Sequence, residues 1–313
     1  MQNINLKSII ETDRNFALLS TSANHVLHAI AVIGVDSYYS KEFCKALICK
    51  ILIASKRDDL AKKVEHGSFI DLIEFDGEES IKVADISQIV EKSYEKGIES
   101  DQKFCIINNA QRMTTEAQNK LLKTLEEPSL GQYFFLCIPS RFLLLPTILS
   151  RCTIIELPTL EKQQIKKVLE DNHLVQDNDE YVELSLGSIS NISESPTILQ
   201  ESFEIAFRAL TQIVSSANIV EFSLKIQKSE IELVIRYLEQ LIDDCLKIKN
   251  NISNIWFESK KSTLKNLDFS QKGLIFVYKE IQKIKQNAKF NVSQTVLADK
   301  LTLAIAEGKH KND

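Results

Sequence analysis

In the first half of this chain, five short β-like apolar runs alternate with segments whose apolar residues recur at helical spacing. This alternation constrains the fold more than any other feature. The runs occupy residues 29–33, 69–73, 104–107, 133–138 and 153–157. Between them, Phe43, Ala46, Leu47 and Ile51 share one helical stripe and Ile86, Ile89, Val90 and Tyr94 another. A capping-box pattern, Asp85 with Gln88, opens the second. Strands alternating with helices imply a parallel sheet covered on both faces.

The second half has a different grammar. All five prolines lie between residues 128 and 196, and residues 197–313 hold none and only two glycines. So long a run of helix formers with so few breakers predicts an all-helical C-terminal part. Four stripes agree: Phe203 to Ile213, Val234 to Cys245, Leu274 to Ile284, and Val296 to Ala304. A small bundle accounts for them, and the Lys/Asn/Ser-rich residues 247–272 read as a loop or linker. At 313 residues a single core is near its ceiling. The chain is accordingly divided into 1–157 (α/β), 158–200, and 201–313 (helical).

Several function classes are excluded. The eight glycines are never closer than ten residues apart, so G-x-G-x-x-G and G-x-x-x-x-G-K-[ST] are both absent. No Cys-x-x-Cys pair or H-E-x-x-H exists among the six cysteines and five histidines, so no metal site is expected. Most of the cysteines sit in apolar runs and read as small buried hydrophobes in a reducing cytoplasm. Neither a secretory signal nor a membrane span is expected. A formal net charge of −5 makes the chain a poor autonomous binder of nucleic acid, whose non-specific affinity comes from neutralised phosphates.

Residues 104–157 carry most of the functional information. Here a buried strand ends in the polar residues Asn108, Asn109 and Gln111. A helix follows, capped at Thr115 with Gln118 in the third helical place, apolar through Leu121, Leu122 and Leu125, and stopped by Pro128. After a second buried strand, a short apolar helix over 143–149 leads into Ser150-Arg151-Cys152.

Three stretches, A-Q-N-K-L-L-K-T-L-E-E-P (117–128), L-P-T-I-L-S-R-C (145–152) and His28-Ala29 leading a strand into Gly34, resemble the bacterial clamp-loader branch of the AAA+ family, and within it the delta-prime family of DNA polymerase III subunits. Asn287 and Asn291 are similar, more weakly, to that family's C-terminal segment. The resemblance implies an α/β AAA+ parallel-sheet module, a small helical lid domain over 158–200, and an all-α collar domain over 201–313 that joins gamma/tau ATPase subunits and a delta subunit. The sliding clamp and primer-template DNA would be met through that complex.

The family's nucleotide signature is broken in this chain. Aligned on Gly34, the second glycine of a phosphate loop becomes Tyr39, its lysine Ser40, and its hydroxyl residue Lys41. Asn108-Asn109-Ala110-Gln111 stands where active relatives place Asp-Glu for magnesium and water. Residues 186–190 bring no arginine, and 158–200 contain none. Residues 53–68 lack the four-cysteine zinc module of many delta-prime subunits. No nucleotide, cofactor or metal is therefore expected. What the resemblance retains is Arg151, flanked by Ser150 and Cys152, as an arginine offered to a neighbour's ATP site; standing alone, an arginine there would simply cap the helix C-terminus. Lys120 and Lys123 read as solvated residues opposite the leucine face, and Ser140 and Arg141 as loop residues. The expectation is a non-hydrolysing clamp-loader subunit; the alternatives are an ATP-hydrolysing motor subunit or helicase loader of the same superfamily, and a scaffold with no replication role.

Overall fold

The computed structural model describes residues 4–21, 28–77, 80–174, 179–192, 195–213, 216–288 and 293–311. The chain forms two compact units, one of Met1–Val175 with Gly187–Ser190 and one of Gln176–Leu186 with Asn191–Asp313.

In the first unit, α1 (Lys7–Ile10) and α2 (Arg14–Thr21) precede β1 (Ala29–Ile33), α3 (Ser37–Ala54), α4 (Asp58–Glu65), β2 (Leu72–Asp76) and α5 (Val83–Tyr94). There follow β3 (Lys103–Asn108), α6 (Thr115–Glu126), β4 (Gln132–Ile138), α7 (Pro146–Leu149), β5 (Thr153–Glu156) and α8 (Lys162–Asp171). The five strands make one parallel sheet in the order β2-β3-β4-β1-β5. Val32 lies opposite Cys137 on one side and Ile155 on the other. Because side chains alternate along a strand, Ala29, Ile33, Cys105, Ile107, Phe134, Leu136 and Ile138 face one way. They form a single apolar cluster with Ile86 and Ile89 of α5, Leu121 and Leu125 of α6, and Ile148 of α7. The intervening residues face α3, where the Cys44 and Cys137 sulfurs lie 3.6 Å apart. Burial on both faces is why these strands read as unbroken apolar runs.

Four local expectations are corrected. The second strand is Leu72–Asp76 rather than 69–73: Phe69 packs its ring on Phe104 at 6.2 Å, and the buried Asp71 carboxylate accepts from the amides of Ile98, Glu99 and Ser100 at 2.7–3.0 Å. As an edge strand, β2 carries Glu74 and Asp76 and does not look apolar. Helix α5 starts at Val83, and Asp85 is its third residue, accepting from the Lys82 amide at 2.7 Å. Helix α6 is capped by Thr114, whose hydroxyl accepts from the Ala117 amide at 3.2 Å, one residue earlier than the pattern suggests. Gln118 is instead buried: its Nε2 donates to the Met113 carbonyl at 3.2 Å and its Oε1 accepts from the Leu145 amide at 2.8 Å. The expected helix over 143–149 splits into a 3-10 turn at Arg141–Leu143 and α7, which opens on Pro146 as a ring without an N–H requires.

The second unit comprises α9 (Asp179–Leu184), the end of α10 (Ile189–Ile192), α11 (Pro196–Gln212), α12 (Ser216–Gln227), α13 (Ile231–Lys249), α14 (Lys261–Lys265), α15 (Gln271–Ala288) and α16 (Gln294–Lys309). The four striped helices are α11, α13, α15 and α16. Phe203, Tyr237 and Phe257 form the aromatic centre of its core, with Phe203 edge-on to Tyr237 at 5.5 Å. Residues 247–272 are not a loose linker. The buried Asp244 carboxylate accepts from the Trp256 and Phe257 amides at 2.8 and 2.7 Å and from Gln240 Nε2 at 3.0 Å, which seats Phe257 in the core. Burial raises the Asp244 pKa against the lowering effect of these hydrogen bonds. Asn291 lies outside the described residues, as does the side chain of Asn287.

Replacing Asp244 with Ala leaves two backbone N–H groups without their acceptor, a loss of about 2–4 kcal/mol. Urea unfolding followed through the single tryptophan, Trp256, is expected to show a lower midpoint and an unfolding free energy reduced by that amount.

Candidate functional site

In open parallel sheets, ligands are bound outside the carboxyl ends of the strands. At that edge β1 passes through Gly34 and Val35 into Asp36, and α3 begins at once with Ser37. Of the residues that would form a phosphate loop, those from Ser37 onward are thus already helical. Ser40 donates its amide to the Asp36 carbonyl at 3.0 Å and its hydroxyl to the same oxygen at 2.8 Å. Tyr39 is buried, and burial drives its hydroxyl pKa far up. Tyr38 donates its hydroxyl to the Ile4 carbonyl at 3.2 Å and accepts from the Ile4 amide at 2.9 Å. A Cβ on Gly34 would lie 2.7 Å from Ser40 Oγ, which fits glycine at this crossing.

Asp36 is one residue that sequence reasoning missed. Its Oδ1 accepts from the Tyr39 amide at 2.8 Å and from Ser190 Oγ at 2.9 Å; its Oδ2 accepts from Ser188 Oγ at 2.8 Å and from the Ser190 amide at 2.9 Å. An Asp directly before a helical stripe is a capping signal, but nothing local announces the two serines.

Lys41 points to the β2 edge, where its Nζ lies 2.6 Å from Asp76 and 3.0 Å from Glu74. Burial alone would lower its pKa, and the two carboxylates raise it. Asp76 is the mirror case: burial pushes its carboxyl up, and the hydrogen bonds from Lys41 and Asn108 overcome this and hold it below the ordinary range. Asn108 Nδ2 donates to Asp76 Oδ1 at 2.9 Å. Asn109 adopts a left-handed backbone with φ of 54°, and its Oδ1 accepts from Gln111 Nε2 at 3.4 Å. These donors do not fit a magnesium triphosphate. Asp36 places a carboxylate where the helix N-terminus would meet phosphate, Lys41 is already neutralised, and Asn108, Asn109 and Gln111 carry no charge for a metal. Asp76 escaped notice because its strand was placed three residues early.

Arg151 lies two residues beyond the end of α7, half-buried. Its Nη1 donates to the Thr147 carbonyl at 2.7 Å and to Ser150 Oγ at 3.3 Å, and its Nη2 pairs with Glu126 at the end of α6. Ser150 Oγ in turn donates to the Thr147 carbonyl at 3.0 Å. Cys152 packs against the sheet cluster, and burial pushes its thiol up to about 12, so it is held as an inert thiol. Gln118 fastens this loop to α6 through the Leu145 amide. His28, whose ring nitrogen lies 2.8 Å from the Leu125 carbonyl, ties the start of β1 to the same helix. The two quoted motifs thus meet at Gln118 and at Glu126–Arg151. Lys120 and Lys123 are exposed on α6. Arg141 pairs with Glu156, and Ser140 opens the 3-10 turn that precedes α7.

The parallel sheet and its carboxyl-edge loops define an AAA+-type module. Residues 14–161 match the family described as "DNA polymerase III, delta subunit". Relatives include DNA polymerase III subunit delta' of Bacillus subtilis, 34% identical over 147 residues that cover 46% of this chain and 43% of that protein. Subunit tau/gamma of Haemophilus influenzae is 26% identical over 231 residues, covering 67% of this chain and 34% of that protein. A crystallised gamma-subunit-related protein of Thermotoga maritima is 17% identical, with a TM-score of 0.43 and coverage of 94% of this chain and 99% of that one. The chain thus spans between about a third and under a half of the curated relatives it matches. Over residues 14–161 its α/β unit is thus similar to DNA polymerase III subunits.

The Asp76 cluster has a pH signature. With its pKa lower in the folded than in the unfolded chain, Asp76 contributes stability that is present above the ordinary carboxylate pKa and lost as pH falls through the folded value. Unfolding free energies measured from neutral pH downward are expected to fall less steeply below about pH 4 in Asp76→Asn than in the parent.

Proposed function

We propose that the chain is a non-hydrolysing, delta-prime-like subunit of a cytoplasmic clamp loader, which helps place the sliding clamp on primed DNA during replication. It works beside gamma/tau and delta subunits, through 201–313 as a collar and 158–200 as a lid, and supplies Arg151 to the ATP site of a neighbour. The observation that carries this reading is the contrast along one sheet edge. The phosphate-loop residues are folded into α3 and bound to partners of their own, while Ser150-Arg151-Cys152 sits on a short, braced turn with the guanidinium partly open to solvent.

The energetic logic favours the trans role. A surface pair with Glu126 contributes only about 0–1 kcal/mol, and the carbonyl of Thr147 holds one edge of the guanidinium without neutralising it. A γ-phosphate offers more charge and a bidentate acceptor. Arg151 can therefore exchange one anion for a stronger one with little rearrangement.

The match to a tau/gamma subunit favours a second reading, an ATP-hydrolysing motor. Titration of the purified chain with Mg-ATP separates them: no binding up to millimolar nucleotide is expected, and micromolar binding would refute the non-hydrolysing role. For the arginine itself, Arg151→Ala in a loader reconstituted with gamma/tau and delta subunits is expected to lower DNA-stimulated ATP hydrolysis at least about tenfold, well inside the range known for trans-acting arginines. Unchanged hydrolysis and clamp loading would sink the assignment.

A further inference from the structure

We infer that Asp36 is a built-in anion that takes the place of a ligand's phosphate, latching residues 187–190 to the start of α3 so that this segment stays closed without nucleotide. A plain helix cap requires one hydrogen bond, here the one from the Tyr39 amide at 2.8 Å. The other three come from Ser188 and Ser190, about 150 positions along the chain. A capping carboxylate normally keeps one oxygen in water, yet Asp36 is only 5% exposed. Burying a carboxylate is costly unless its lone pairs are taken up. Four hydrogen bonds and the positive end of an 18-residue helix provide that compensation.

The serine segment is shaped for the contact. Gly187 has a φ of +70°, and a Cβ there would lie 2.4 Å from the Leu160 carbonyl oxygen. Only glycine lets the chain pass so close to the residues after β5. Asp36 therefore joins the start of α3 to residues 187–190 with a carboxylate that cannot leave. The inference is independent of Arg151, since it concerns how one segment is held and not what a neighbour hydrolyses.

Hydrogen exchange at the Ser190 amide of the full chain reads the latch directly, because that amide donates to Asp36 Oδ2. In Asp36→Ser the shorter hydroxyl still caps the Tyr39 amide but falls short of the serines. Exchange at Ser190 is expected to rise roughly tenfold or more, as for the loss of one charge-assisted hydrogen bond, while the amides of β1 and β4 keep their protection. If that variant fails to fold, Asp36→Asn serves. It retains an oxygen for Tyr39 and presents an N–H to the Ser190 amide, so the same rise is expected. Mg-ATP is expected to leave Ser190 exchange in the parent unchanged. Unaltered protection in the folded variant, or slowing of Ser190 exchange in the parent by Mg-ATP, would overturn the proposal.

Discussion

The place where α3 begins governs everything at the carboxyl edge of the sheet. A phosphate cradle needs several loop residues whose amides point outward and are unpaired. Here only Val35 and Asp36 separate Gly34 from the first helical residue, and the amides of Tyr39 and Ser40 are bonded to the Asp36 side chain and carbonyl. Once the helix starts that early, Tyr39 and Ser40 turn inward and Lys41 is carried round to the β2 edge. The placements of Tyr39, Ser40 and Lys41 thus share one geometric cause.

The same edge shows how charge is balanced within the chain. Lys41, Glu74, Asp76 and Lys45 form a connected group, with Lys45 at 3.2 Å from Glu74 and 3.1 Å from Glu42. Each charge is matched within the chain, so none is left to attract an anion. Asn108, lacking a charge of its own, donates to Asp76 and joins this group instead of holding a metal. An Asp at Asn108 would bring a second carboxylate against Asp76 and destabilise the edge, which gives this amide a physical reason of its own.

The sheet was legible from sequence because its central strands are buried on both faces, so runs such as 29–33 and 133–138 are apolar at every position. Legibility failed at the edge: β2 alternates Glu74 and Asp76 with apolar residues, and the apolar run at 69–73 belongs mostly to the turn before it. The bundle helices were visible through their stripes, but α12 and α14 were not, and the 247–272 segment looked loose because its anchor, Asp244, lies on another helix. The site divides in the same way. Tyr39, Ser40, Lys41, Asn108 and Arg151 could be found because they stand at fixed distances from recognisable neighbours. Asp36–Ser190 and Arg151–Glu126 could not, since each joins residues brought together only by tertiary structure.

That distinction explains why Arg151 is better placed than its motif alone would indicate. A guanidinium at the end of a four-residue helix has little to hold it, and the dipole of one turn is weak. The structure adds Thr147 behind it and Glu126 beside it, and both supports are fixed in turn: α7 by Ile148 in the sheet cluster, and α6 by Leu121 and Leu125 in the same cluster. The chain from buried leucines to helix to carboxylate to guanidinium is continuous and short. A rigid core therefore reaches the surface through two helices that converge on one side chain, and no loop in this path needs a ligand to order it.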